Sequence, residues 1–228
     1  MGAPVIEARA LTKTFGATPV LREVDFQLAA GRCAILIGGN GSGKSTLMRI
    51  LAGLSQPTAG EALIFGEDCR RLGLANRKRI GMLTHQSWLY PNLTARENLK
   101  FYAELYGMTD GPALATRWIE RVGLGASANE RVRGFSRGME QRLSIARTMM
   151  PNPELLLLDE PFAALDRDAV AIAAELIRAA IGGGATVLIT AHAPIDIETE
   201  IESHQIVRGK VIRSREHNRP SLRTSAGA

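Results

Sequence analysis

The chain has 228 residues, 45% hydrophobic and 22% charged, with a formal net charge of +5. That length and balance suit a globular protein with a full core and exclude a disordered chain. The lysines and arginines are spread along the chain, so the positive charge does not point to nucleic acid, and no run reaches the ~18 apolar residues of a membrane span.

In chain order, the opening "MGAPVIEARALTK" lacks the charged-then-apolar order of a signal peptide. A cytosolic protein is expected, with any membrane link running through a partner. "VIEARALTKTFG" and "LREVDFQLAAG" alternate in polarity and predict strands of an antiparallel sheet with one wet face. "CAILIG" (33–38) predicts a short buried strand. Its Cys33 reads as a small hydrophobe, because two cysteines, Cys33 and Cys69, make neither a disulfide framework nor a metal site.

"GGNGSGKST" (38–46) follows that strand and opens the helical "STLMRILAG". Clustered glycine is entropically expensive, and here it lets successive backbone N–H groups curl around phosphate oxygens at a helix N-terminus. The stretch fits G-x-x-x-x-G-K-[ST], with Gly38, Gly43, Lys44 and Ser45 in the defining places and Asn40, Gly41, Ser42 and Thr46 completing the cradle. Lys44 is expected on the β- and γ-phosphates of ATP and Ser45 on Mg²⁺.

Further buried parallel strands are predicted at "RIGMLTH" (79–85), "ELLLLDE" (154–160) and "ATVLITAH" (185–192). Gln86 and His192 follow two of them, and Asp159 and Glu160 end the third. The carboxyl edge of an open α/β sheet is where ligands bind, so Asp159 is expected to hold Mg²⁺ and Glu160 to polarise the attacking water. Between 93 and 150 the pattern turns helical. Thr94 and Glu97 form a capping box, and Leu99, Tyr102, Ala103 and Tyr106 share a face. Ser136 caps "FSRGMEQRLSIAR" (135–147), a helix start able to face an anion. A helix over 166–181 with a Val170, Ala173, Ile177 stripe and a hairpin around Gly209 follow. "RSREHNRPSLRT" then begins a basic, disordered tail (213–228) after a domain spanning 1–212.

These motifs, in this order, resemble the nucleotide-binding domain of ATP-binding cassette (ABC) transporters. The likeness runs over roughly residues 5–212. It implies a P-loop NTPase fold of the α/β class: a RecA-like parallel core, an antiparallel β subdomain and an inserted helical subdomain. It further implies that Phe15 stacks on adenine, that Gln86 touches Mg²⁺ and the permease interface, and that His192 contacts the γ-phosphate. Ser136 and Gly138 would belong to the signature motif and Asp166 to the loop before the next helix. The partners implied are integral membrane permease subunits and a second copy of the chain, packed head to tail around ATP, at the cytoplasmic face of the membrane.

The signature, usually Leu-Ser-Gly-Gly-Gln, appears as Phe135-Ser136-Arg137-Gly138-Met139, with Met139 replacing the glutamine. Outside it, Phe15 stands where tyrosine is commoner and Ala163 where the loop before the next helix often has serine. None of these removes a catalytic group. A soluble cassette acting on DNA or ribosomes would need a long coiled-coil insertion or a second cassette, and a P-loop kinase or GTPase has no use for "FSRGMEQRL". Trp88, Leu89, Tyr90, Leu93 and Phe101 or Tyr102, beside Gln86, suggest a docking groove for a permease helix. "LTHQSWLYPNLTARENLKFYAELYG" and the signature stretch look like the ATP-binding subunit of the heme exporters of cytochrome c maturation. The same signature occurs in multidrug and lipid exporters of the ABC-2 type, which stay open as the alternative.

Overall fold

The computed structural model describes residues 4–214, so residues 215–228 of the expected tail lie outside the described residues. The tail's first two residues correct the expectation, because Arg213 pairs with His204 at the end of the last strand and Ser214 N–H donates to the Ser203 carbonyl. Two sheets organise the chain. In the first, β1 (Pro4–Phe15), β2 (Thr18–Ala29), β4 (Ala59–Ile64) and β5 (Glu67–Asp68) pair antiparallel in the order β2-β1-β4-β5. Alternation along β2 buries Leu21, Val24, Phe26 and Leu28 and leaves the opposite face wet. The strands β4 and β5 carry no continuous apolar run and were not anticipated.

The second sheet has the order β10-β9-β3-β8-β7-β6. Its strands β3 (Cys33–Ile37), β6 (Ile80–Leu83), β7 (Leu155–Asp159) and β8 (Thr186–Ala191) are the four predicted apolar runs, all parallel. β9 (Glu202–Val207) adds in parallel beside β3, and β10 (Lys210–Arg213) returns antiparallel through Gly209. Both faces of this sheet are covered. Leu156, Leu158, Val187 and Ile189 pack under helices on one side. Leu155, Leu157 and Leu188 pack with the first sheet and α1 (Lys44–Leu51) on the other. Double-sided burial is why the parallel strands read as unbroken hydrophobic runs.

After α1 comes the short α2 (Leu74–Lys78). Then α3 (Ala95–Leu105), α4 (Gly111–Arg121) and α5 (Arg137–Met149) stand between β6 and β7. α3 starts with the predicted capping box: the Thr94 hydroxyl accepts from Glu97 N–H and the Glu97 carboxylate accepts from Thr94 N–H. α6 (Arg167–Gly182) corrects one expectation. Its buried stripe is Ala169, Ala173, Leu176 and Ile177, and Val170 is only half buried. The cap at Asp166 sets the phase of the helix, and the i, i+4, i+7, i+8 set counted from Ala169 meets the sheet.

Candidate functional site

The loop between β3 and α1 closes on Lys44. This side chain is 5% exposed, and its Nζ donates to the carbonyls of Gly38 (2.6 Å) and Gly39 (3.2 Å). The backbone here admits little but glycine: Gly43 sits at φ 107°, and a Cβ on Gly38 would lie 2.5 Å from Ile206 Cγ2. α1 begins with no capping side chain and no acidic residue in its first turn, so its positive end stays open. Residues 39–46 line a cavity of about 370 Å³ with Val20, His85 and Glu160. Ser42 Oγ, at its edge, is buried without a hydrogen-bond partner. A concave cradle of N–H groups, one ammonium and an orphaned hydroxyl is built for phosphate oxygens.

The carboxylates come from the end of β7. Asp159 is 3% exposed, and its Oδ1 accepts a 2.6 Å hydrogen bond from Thr190 Oγ1 on the neighbouring strand β8. Glu160, at φ 53°, is in the left-handed region unusual for a side-chain-bearing residue. That geometry is held by two bonds from its N–H, to Thr190 O (3.2 Å) and Thr190 Oγ1 (3.1 Å). It aims the carboxylate at the P-loop: Glu160 Oε1 lies 3.5 Å from Lys44 Nζ and 2.8 Å from His192 Nε2. Lys44, Glu160 and His192, far apart in sequence, therefore meet at one point.

Other predicted residues stand differently. Gln86 is exposed and lines neither cavity at the sheet edge, while its carbonyl accepts from Thr84 Oγ1. Its neighbour His85, also exposed, is the one that borders both cavities, with Nε2 3.9 Å from both Asp159 Oδ2 and Glu160 Oε2. Thr190 and His85 were not singled out in the sequence. Thr190 reads as an ordinary strand residue, and His85 carries no motif of its own beside Gln86. Phe15 is 54% exposed, its ring 4.8 Å from Lys13 Nζ, and it does not line the P-loop cavity. It pairs with Thr18, which lines an adjoining 610 Å³ space together with Val20, Gly41 and Ser42.

The Ser136 hydroxyl caps α5 by accepting from Met139 N–H, and the Asp166 carboxylate caps α6 by accepting from Ala169 N–H. Ser136, Gly138 and Asp166 line neither the P-loop cavity nor the 390 Å³ cavity beside it. That second cavity joins His85, Asp159 and Glu160 to Arg137 and Glu140 of α5. Among the expected docking aromatics, Trp88, Tyr90 and Phe101 are exposed. Leu89 is a correction: it points into the core, because Asn98 grips Tyr90 N–H and the Tyr90 carbonyl and turns the preceding residue inward.

Known proteins agree with this geometry. A family model for the ABC transporter family matches residues 21–163. The cytochrome c biogenesis ATP-binding export protein CcmA of Ruegeria pomeroyi is 38% identical over 186 residues, 82% of this chain and 84% of that protein. The lantibiotic transport ATP-binding protein SrtF of Streptococcus pyogenes is 33% identical over 94% of this chain and 92% of its own. The Nod factor export ATP-binding protein I of Cupriavidus pinatubonensis is 34% identical over 82% of this chain, which spans only 58% of that longer protein. A solved dimeric ATP-binding cassette, in a post-hydrolysis state with ADP and Pi, superposes with TM-score 0.81 and 26% identity over 94% of this chain and 98% of its own. Among the described residues no helix is long and apolar enough to cross a membrane. P-loop, paired carboxylates, strand-end histidine and the Ser136-capped α5 accord with these relatives, and the chain belongs to the ABC transporter family as an ATP-binding cassette of the P-loop NTPase fold, an ATPase.

Proposed function

We propose that this cassette is the ATP-hydrolysing subunit of an export complex, peripheral at the cytoplasmic face of the membrane beneath integral permease subunits. Residues 1–212 form the ATP-binding domain, with 93–150 as its helical subdomain. The observation that carries the reading is the meeting of Lys44, Glu160 and His192 at the mouth of the phosphate cradle. Lys44 passes from the Gly38 and Gly39 carbonyls to the β- and γ-phosphates. Glu160, freed from Lys44 but held by its backbone bonds to Thr190, orients the attacking water. His192 meets the γ-phosphate, and Phe15 stacks on adenine at the hairpin beside Val20.

Mg²⁺ fits the donor set. The Ser45 hydroxyl and the Asp159 carboxylate offer hard oxygen ligands, with Asp159 Oδ2 left open by the bond on Oδ1, and Gln86, exposed outside both cavities, would join them only by turning inward. No group of three His, Cys, Asp or Glu side chains able to hold a metal exists among the described residues. A divalent ion here would therefore be shared with phosphate oxygens, whose developing charge it would neutralise.

Ser136 and Gly138 find no place in the chain's own cradle. A second copy packed head to tail would supply them across the nucleotide, so ATP closes the dimer. Glu160→Gln is expected to abolish turnover while MgATP stays bound, and in light scattering to turn a nucleotide-free monomer into a dimer with ATP. Lys44→Ala should weaken binding itself. Wild-type turnover in Glu160→Gln would overturn the assignment.

Heme for cytochrome c maturation is the cargo we favour, supported by the likeness to CcmA over 84% of that protein's length. Deleting the gene should abolish covalently bound heme in c-type cytochromes and spare b-type cytochromes. Normal c-type cytochromes with new drug sensitivity would move the cargo to the multidrug or lipid class.

A further inference from the structure

Most arginines of this chain that carry an ion pair do so openly at the surface: Arg79 with Glu154, Arg32 with Glu200 and Glu202, Arg70 with Asp68. Arg147, on α5, is built differently. Its Nη2 donates to the Met82 carbonyl (3.1 Å) and to Thr148 Oγ1 (3.0 Å), and its Nε is buried with no hydrogen-bond partner. The guanidinium stands 5.4 Å over the Tyr102 ring, and no carboxylate pairs with it among the described residues. Burial pulls its pKa down from the ordinary arginine value, the mark of a cation held out of water without a counter-charge.

Arg147 forms part of the wall of a 270 Å³ cavity with Leu54, Arg77, Met82, Trp88 and Tyr106. Arg77 donates to the Leu72 carbonyl and likewise has no carboxylate partner among the described residues. Two guanidiniums without carboxylates thus face one apolar space. Trp88 and Leu54 at its edge are about half exposed. Tyr102, whose hydroxyl donates to the Trp88 carbonyl, joins the space to exposed Tyr90 and Phe101, which pack edge to face at 4.9 Å. A solvated phosphate would match the charge but leave the apolar wall unused, and a purely apolar helix would bury Arg147 further with nothing to answer it.

We propose that this cavity receives a carboxylate side chain, Asp or Glu, flanked by bulky apolar residues on a cytoplasmic segment of the membrane partner, with Arg147 as its principal counter-charge and Arg77 as the second. The inference rests on the reading of the chain as a permease-bound subunit and adds the chemistry by which the partner is recognised. A desolvated, bidentate guanidinium–carboxylate contact gives both register and affinity.

The test uses a short helical peptide of leucine, alanine and serine with one central glutamate, and its glutamine twin. Each is titrated into the full chain carrying Trp118→Phe, which leaves Trp88 as the reporter, since the sequence has two tryptophans. The glutamate peptide is expected to bind about tenfold more tightly than its twin, as one charge-assisted contact provides. Arg147→Lys should keep most of the preference, Arg77→Gln should reduce it, and Arg147→Gln should remove it. Equal affinity for the twins, no saturable Trp88 response to the glutamate peptide, or displacement by millimolar inorganic phosphate would each overturn the proposal. If Arg147→Gln does not fold, the twins compared on the Trp118→Phe and Arg77→Gln proteins still decide. Basal ATP hydrolysis, measured alongside, separates the two readings: a failed peptide test with intact hydrolysis rejects the acidic anchor alone, and absent hydrolysis rejects the ATPase role.

Discussion

Thr190 ties the carboxylate-bearing residues Asp159 and Glu160 at the end of β7 to the sheet, and replacing it with valine isolates that tie. Valine keeps the shape and strand preference of threonine, so the fully buried position stays filled and only polarity changes. Two contacts are lost: the 2.6 Å bond to Asp159 Oδ1 and the acceptor for Glu160 N–H. Glu160 N–H retains the Thr190 carbonyl, so its loss is small. Asp159 loses a bond to a buried charge, worth about 1.5–3 kcal/mol. Taking about 2 kcal/mol, the melting temperature should fall by about 4–8 °C for a chain of this size. Glu160 also loses part of what holds its left-handed backbone, and a loss of orientation worth about 1.4 kcal/mol would lower kcat about tenfold. Thermal melts and phosphate release should be measured beside Thr190→Ser, which keeps the hydroxyl and should retain most of both. Wild-type melting and turnover in Thr190→Val would refute the argument that this hydroxyl organises the site.

Thr94→Ala removes the reciprocal cap of α3 and should cost about 1 kcal/mol in urea unfolding. His204 lies on β9 against the Phe26 ring, with Nε2 buried and unpartnered, and burial lowers its pKa from the ordinary value near 6.5. The unfolded chain then takes the proton first, so this stability is present above about pH 6.5 and is lost as pH falls toward the folded value. His204→Leu should flatten that part of the stability profile between pH 7 and 5, and an unchanged slope in denaturation curves would count against it. Trp88 Nε1 donates to Thr84 Oγ1, and Thr84 borders the cavity of Asp159 and Glu160. Thr84→Val should therefore weaken any change in Trp88 emission on ATP addition, read in the Trp118→Phe background.

The parallel core was legible because its strands are buried on both faces. Leu155 to Leu158 have no wet side and leave an unbroken apolar signature, and the P-loop shows itself by glycines that only a close phosphate approach justifies. β4 and β5 were not legible: half-buried and interrupted by glycine, "AGEALI" alternates too weakly to stand out, and its pairing with β1 is fixed by tertiary contact. At the site, residue types with strong chemistry were found and their supports were not. Asp159 and Glu160 are marked by charge at a strand end. Thr190 acts through one hydroxyl on the adjacent strand, a relation that exists only once β7 and β8 are paired in register, Asp159 opposite Thr190. Arg147 was hidden for the same reason, since an arginine in a helix looks solvated until the fold packs it against Tyr102 and the end of β6.

The segment from Thr84 to Trp88 links these findings mechanically. At one end His85 stands beside both carboxylates, and at the other Trp88 borders the cavity of Arg147. Between them Ser87 Oγ donates a 2.6 Å bond to Glu140 Oε1, and Ser144 Oγ on the same helix donates to the Ser87 carbonyl at 3.4 Å. Trp88, at φ 56°, is in a backbone conformation that costs energy, and the Tyr102 hydroxyl and Thr84 Oγ1 hold it there. Five residues are too few to absorb a shift at one end by flexing, and Ser87 fastens them to α5, which Ser136 caps. A carboxylate drawn to Arg147 would thus press on Trp88. The same short segment would carry that displacement to His85 beside Asp159 and Glu160 and, through Ser87, to the helix expected to cap the second copy's nucleotide.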